Sequence, residues 1–274
     1  MKAWNERKKT CFTLGAAVLV LILVTISGMI LSDEALVTDF ARKNTPPSAH
    51  FLFGTDWLGR DMLARTLAGL SLSIRIGLLT AGVSAVLALV LGLAAATLGR
   101  RSDAVISWLI DLTMGVPHIL LVMLIALAFG RGLTGVVAGV ALSHWPSLAR
   151  VIRGEVIQLR QAPYILTAGK LGVSRWRVIQ RHMLPHLLPQ FVVGLVLQFP
   201  HAILHEAGIT FLGFGLPPEQ PAIGVILSES MRYLTTGRWW LALFPGLALM
   251  LTVLLFASIG DRLRRLLDPS SAQR

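Results

Sequence analysis

The sequence predicts an all-α, polytopic membrane bundle of six transmembrane helices with one long polar loop on its cytoplasmic side. Three observations predict it. Of 274 residues, 54% are hydrophobic and 14% charged, well under the roughly 25% charge of an ordinary soluble domain, and the mean hydropathy is +0.70. Residues 11–31, 74–98, 104–129, 132–148, 187–211 and 241–259 are apolar over about the 20 residues that a spanning helix needs. With the amino terminus set in the cytoplasm, 17 of the 25 Lys and Arg fall inside: Lys2, Arg7, Lys8, Lys9, Arg100, Arg101, Arg150, Arg153, Arg160, Lys170, Arg175, Arg177, Arg181, Arg262, Arg264, Arg265 and Arg274. That asymmetry follows the positive-inside rule. It accounts for the net charge of +11 with lipid as the partner. Nucleic acid is not expected, because the basic residues are spread over short loops instead of one recognition element.

Residues 11–31 follow a basic start, as a secretory signal does. Their apolar core exceeds the about 7–15 residues of a signal, and Ser27-Gly28-Met29-Ile30-Leu31 offers no small-residue cleavage site. They are expected to stay as an anchor. Cys11, the single cysteine, leaves no intrachain disulfide. Residues 32–72 are acidic at Asp33, Glu34 and Asp39 and turn at Pro46-Pro47, which predicts an outside loop followed by a short surface helix. The organisation read from this is an N-terminal unit 1–72, a main helical unit 73–265 and a cytoplasmic tail 266–274.

Arg100-Arg101 and Gly130-Arg131-Gly132 mark tight turns around the third span. Ala81, Gly82, Ala85, Ala88, Gly92 and Ala94 to Ala96 in the second span, with Gly135, Ala138, Gly139 and Ala141 in the fourth, allow the close backbone approach that packs helices in lipid. Pro117, Pro146 and Pro200 are each expected to kink or interrupt a helix. After the fifth span, Gly213 to Pro221 reads as a rigid outside loop. Ile223 to Tyr233 then reads as a short re-entrant or interfacial helix, and Trp239 and Trp240 as an interfacial aromatic belt.

The polar loop, about 149–189, carries the first chemistry. A short helix ending near Gly172 and restarting at Ser174, which is placed to cap its successor, makes an angular knob with Tyr164, Trp176 and Ile179 interleaved. Leu166-Thr167-Ala168, Gly172 and Leu184-Pro185 resemble the coupling segment of binding-protein-dependent ABC transporter permeases. That segment reads Glu-Ala-Ala, three residues, Gly, nine residues, Ile-x-Leu-Pro; Ala168, Gly172, Leu184 and Pro185 match it and Leu166 replaces the Glu. Gly54-Thr55-Asp56-Trp57-Leu58-Gly59-Arg60-Asp61 is similar to the signature of the dipeptide, oligopeptide and nickel permeases. From its residues alone the run is a Gly turn, an Asp56 cap and charges on a surface loop. With the Phe211-Leu-Gly-Phe-Gly215 exit of the fifth span, the resemblance extends over nearly the whole chain.

This resemblance implies a bacterial inner-membrane importer subunit. It would work with a second homologous permease subunit, two ABC ATPase subunits and an extracytoplasmic substrate-binding protein, by alternating access driven through a coupling helix at Ala168 to Gly172. The sequence holds no Gly-x-x-x-x-Gly-Lys-Ser/Thr run, so ATP and Mg2+ are assigned to partner chains. No cofactor or catalytic group is expected here. An intramembrane metalloenzyme is disfavoured because the His-x-x-x-His-Glu order places no general base between two ligands.

The cargo reading rests on ionisable residues inside spans, which face a pathway or a partner. His201 and His205 share one helix face, with Glu206 about a third of a turn away, a spacing that lets two imidazoles reach one cation. That form looks like the nickel-type members. His118 and His144 are expected to line the same cavity, and Asp111 to be a pathway residue or the partner of a nearby cation. The expected cargo is nickel or a metal-chelator complex, held transiently by His201 and His205, with dipeptide or oligopeptide import as the alternative.

Overall fold

The computed structural model describes residues 6–267; Lys2, Arg274 and the tail from residue 268 lie outside them. Among the described residues the chain forms ten α-helices and no strand: α1 (Glu6–Ile30), α2 (Met62–Thr97), α3 (Arg100–Gly115), α4 (His118–Ala128), α5 (Leu133–Arg160), α6 (Pro163–Lys170), α7 (Arg175–Val178), α8 (Leu184–Phe211), α9 (Ile223–Leu234) and α10 (Trp240–Leu267). A π-helical turn, Ile179–Met183, joins α7 to α8. Helices α1, α2, α5, α10 and the 175–211 run are each long and apolar enough to cross a membrane. The third apolar segment is broken: α3 and α4 meet at an angle of 104° across Val116 and Pro117, whose ring removes a backbone donor and blocks the preceding residue from helical geometry.

Two helices run longer than the sequence reading. α2 begins at Met62, not at residue 74, and runs through the boundary drawn at residue 72. Its polar first turns include Arg65, 1% exposed and ion-paired. α5 runs on past Leu148 to Arg160. Ile152, Val156 and Leu159 keep a buried stripe there, and Arg153 reaches Asp103 of α3 through Nε at 2.5 Å and a second nitrogen at 2.8 Å. Pro146 and Pro200 lie inside α5 and α8 without interrupting them, which leaves a kink as the effect expected of each. Trp239 is half exposed as a belt residue would be, but Trp240 is buried and its indole N–H donates to the Thr55 carbonyl at 3.4 Å.

Small residues pack the bundle as their distribution predicts. Ala85, Ala88, Ala95 and Ala96 of α2 are buried against α5, its most extensive neighbour. A side chain at Gly92 would stand 2.7 Å from the Ala149 carbonyl, and one at Gly139 2.7 Å from that of Val122 in α4. α1 closes on α2 where Ser71 donates to the Thr25 carbonyl at 2.8 Å, and it also packs on α10.

The run Gly54 to Asp61 is a buried knot and not a surface loop. Asp56 is fully buried. It accepts from Arg60 Nε at 2.6 Å and Arg65 at 2.7 Å, and its other oxygen takes the N–H groups of Leu58 and Arg60 at 2.8 and 2.9 Å. Arg65 also donates to Glu229 of α9 at 2.9 Å. Trp57 stacks on Tyr233 at 4.8 Å between ring centres. The cap is Asp61, not Asp56: its carboxylate accepts from Leu63 N at 2.7 Å and opens α2. Thr55 donates to the Arg42 carbonyl and accepts from Thr45 N at 2.8 Å. Gly54 and Gly59 have φ of +70° and +77°, and a side chain at Gly59 would strike the Asp39 carbonyl. The knot therefore fixes the start of α2, the preceding loop and α9 to one another.

Removing one member of a buried charge group strands the others, at about 3–5 kcal/mol. Asp56→Ala should lower thermal stability in detergent by that much. Asp56→Leu combined with Arg65→Leu should lose at least about 1 kcal/mol less than the two single losses added; strictly additive losses would contradict the coupling.

Candidate functional site

At the break in the third span lies a cavity of about 650 Å3, whose wall contains Thr113 to His118 at the break, Ser143, His144, Pro146 and Ser147 of α5, and Gln198, His201 and His205 of α8. Its volume lies in the range of small-molecule sites, about 300–1,000 Å3. Among the described residues, no Asp, Glu, Lys or Arg lines it.

His118, His144 and His205 meet on one wall. Their ring centres are 4.5 Å apart for 118–144, 4.4 Å for 118–205 and 5.0 Å for 144–205, and one nitrogen from each lies within 4.8 Å of the others. His144 Nδ1 is 2.8 Å from the Val140 carbonyl. A carbonyl only accepts, so that bond assigns the proton to Nδ1 and leaves a lone pair on Nε2. Among the described residues, the buried Nε2 atoms of His118 and His144 have no hydrogen-bond partner. The same holds for both amide atoms of Gln198, whose residue is 7% exposed. The cavity thus offers donors and acceptors without formal charge.

The other residues singled out by sequence sort differently. His201 lines the cavity but is not one of the three histidines whose nitrogens converge; that trio, drawn from three helices, includes His205 of the expected pair. Glu206, on the neighbouring face of α8, is fully buried and outside the cavity wall; Thr210 donates to it at 3.1 Å and in turn accepts from Leu216 N at 3.3 Å, which secures the turn after α8. Asp111 pairs with Arg150 at 2.7 Å on an exposed surface, the cation-partner option. Gln198 carried no role in the sequence reading. Its place one turn before His201 and two before His205 puts all three on one face, and that was the available signal.

Beyond the carboxyl end of α2, a helix about 54 Å long by helical rise, α6 projects from the bundle. Arg160 donates to the Ala96 carbonyl and ties the segment to α2. Gly172 has φ +75°, and the N–H of Val173 bonds the Ala168 carbonyl at 3.1 Å to finish α6. Thr167 is exposed and Ala168 half-buried; Leu184 and Pro185 open α8. Ser174 holds the N-cap position of α7 but makes no side-chain cap; its carbonyl takes Val178 N–H at 3.1 Å, because α7 continues directly into the π turn and α8. Ile165, Val178, Ile179 and Met183 face inward, whereas Tyr164, Leu166, Leu171 and Trp176 stand 48–77% exposed. The polar segment itself spans 161–183, shorter than the 149–189 expected.

Residues 88–273 match the family model described as the binding-protein-dependent transport system inner membrane component. The dipeptide transport system permease protein DppC of Bacillus subtilis (strain 168) is 31% identical over 97% of this chain and 84% of its own length. A putative peptide transport system permease protein of Brucella suis biovar 1 (strain 1330) is 36% identical over 96% and 88%, and the probable D,D-dipeptide transport system permease protein DdpC of Escherichia coli (strain K12) 33% over 93% and 85%. Among solved structures, a chain of the inward-facing MetNI methionine ABC transporter superposes with a TM-score of 0.60 at 16% identity, covering 76% of this chain and 98% of that one. That likeness concerns the fold.

An aqueous cavity at the break has a direct chemical consequence. In a Cys11→Ser background, cysteines placed at Ser147 and Gln198 should react with a membrane-impermeant maleimide at least about 10-fold faster than one at Leu124, an outward-facing α4 residue. Equal rates would show that the break does not admit water.

Proposed function

The chain belongs to the family of binding-protein-dependent transport system inner membrane components, and from that premise we propose that it forms half of the translocation route of an ATP-driven importer for dipeptides or oligopeptides. As a member of that family it is a multi-pass membrane permease subunit of an ABC importer. The observation that carries the peptide reading is identity of 31–36% to permeases named for dipeptides or peptides, over nearly the full chain. The nickel or metal-chelate cargo expected from the paired histidines has less support: the relatives are named for peptide transport, and His201 stands outside the cluster. Gln198 adds a chemical argument, since its free amide supplies the donor and acceptor pair that a peptide group answers.

The projecting segment around α6 is the coupling foot. Leu166, Leu171 and Trp176 expose apolar surface beside Lys170, Arg175 and Arg177, at an end of the bundle where lipid does not cover it. Isolated apolar contacts ringed by charge suit a protein socket, and the partner is the ATPase. Two ATPase chains, a second homologous permease and an extracytoplasmic binding protein complete the machine, with the amino terminus and α6 in the bacterial cytoplasm. ATP and Mg2+ sit on the ATPases. Closure of the motors moves α6, and α5 transmits the movement along its length to the cavity wall at His144.

Proteoliposomes holding the whole transporter and its binding protein should take up a labelled dipeptide only with ATP. Gln198→Ala should reduce uptake about 3–10-fold, the worth of one or two hydrogen bonds. Absence of peptide uptake alongside ATP-driven nickel accumulation would overturn the cargo reading. Leu171→Asp with Trp176→Asp should abolish ATPase co-purification and uptake while membrane insertion persists; undiminished association would refute the docking surface.

A further inference from the structure

We propose that His118, His144 and His205 form a site for one divalent transition-metal ion, with an open coordination position toward the cavity that an anionic, peptide-like chelator fills. The inference rests on the import reading for its cargo and on the trio's own geometry for the metal. Three neutral imidazoles from the heads and middles of three different helices converge within 4.8 Å through one nitrogen each, and two of those rings bury an Nε2 that nothing in the described chain satisfies. Leaving buried polar atoms unpaired is costly, and imidazole nitrogens are the ordinary ligands of zinc, nickel, cobalt and copper. The Val140 carbonyl acts on His144 as an orienting partner does on a metal-bound histidine, holding the proton on Nδ1 and leaving the buried, unpartnered Nε2 with its lone pair.

A tetrahedral ion with about 2.0–2.1 Å per nitrogen keeps its donors about 3.4 Å apart, so the rings need close by only about an ångström. Three neutral ligands leave the ion its full double charge inside a wall that holds no carboxylate. Such a charge is expensive at membrane depth unless the fourth donor is anionic. The site is therefore weak for a bare cation and stronger for a cation arriving with a deprotonated amide or carboxylate. Those are the donors a short peptide or amino-acid chelator carries. Because His118 heads α4, His144 lies in α5 and His205 in α8, occupancy also joins the three elements that must separate for release.

The purified, detergent-solubilised chain, prepared without a histidine tag, provides the test with Co2+ as the probe. Titration should give the intense visible absorption of tetrahedral cobalt, saturating at one ion per chain, and azide as a fourth ligand should shift the band and tighten binding. His118→Ala, His144→Ala and His205→Ala should each weaken binding at least about 10-fold, whereas His201→Ala should change it less than about 2-fold. No saturable band in the unaltered chain, or equal weakening by His201→Ala, would overturn the site whatever the variants do to folding. A saturated band that azide leaves unmoved would overturn the open position. Cobalt binding without peptide uptake in proteoliposomes would sink the import reading alone; peptide uptake without cobalt binding would sink the metal site alone.

Discussion

Backbone groups in a bilayer must be satisfied within the protein or face a water-filled space, and the interruption at Val116-Pro117 is the point where this chain meets that requirement. α3 and α4 bend by 104° there, and the freed residues from Thr113 to His118 form part of the cavity wall. Break and cavity therefore require each other: a continuous helix would fill the space, and a broken one facing lipid would strand its peptide groups. Everything assigned to the site follows from that relation, since the break is also what points His118 at His144 and His205.

A broken span is held in place only if its surroundings are rigid, and two kinds of contact supply that. Along the middle, Gly92 and Gly139 let backbones of α2, α4 and α5 approach to distances that no side chain tolerates. At one end, Asp56, Arg60 and Arg65 form a buried ion-pair cluster that reaches the partly exposed Glu229. Desolvating such charges costs several kcal/mol each, so the cluster contributes less to net stability than to fixing the register between α2 and α9.

Much of this architecture was legible in the sequence because lipid imposes long, uniform apolar runs. The apolar runs that become five long helices and one bent pair, the short helix α9, the stop at Gly172 and the break at Pro117 all follow from local pattern. The extension of α5 was hidden because Arg150, Arg153 and Arg160 read as loop, while the pairing of Arg153 with Asp103 is a contact between distant positions. Asp56 looked like a surface residue for the same reason: its partner Arg65 binds Glu229 across 164 residues of sequence. The site was half legible. Each histidine stood out as polar inside a span, but periodicity joined only His201 to His205, and it takes the crossing of α4, α5 and α8 to bring His118 and His144 against His205.

The central claim is that cargo passes through the cavity opened by the broken span. An electron-microscopy structure of the assembled transporter, trapped with a labelled peptide in transit, tests it most directly. The account predicts cargo density between the Pro117 break and α8, within contact of Gln198 and His144. Density lodged elsewhere in the complex, with the break packed shut by protein, would contradict it.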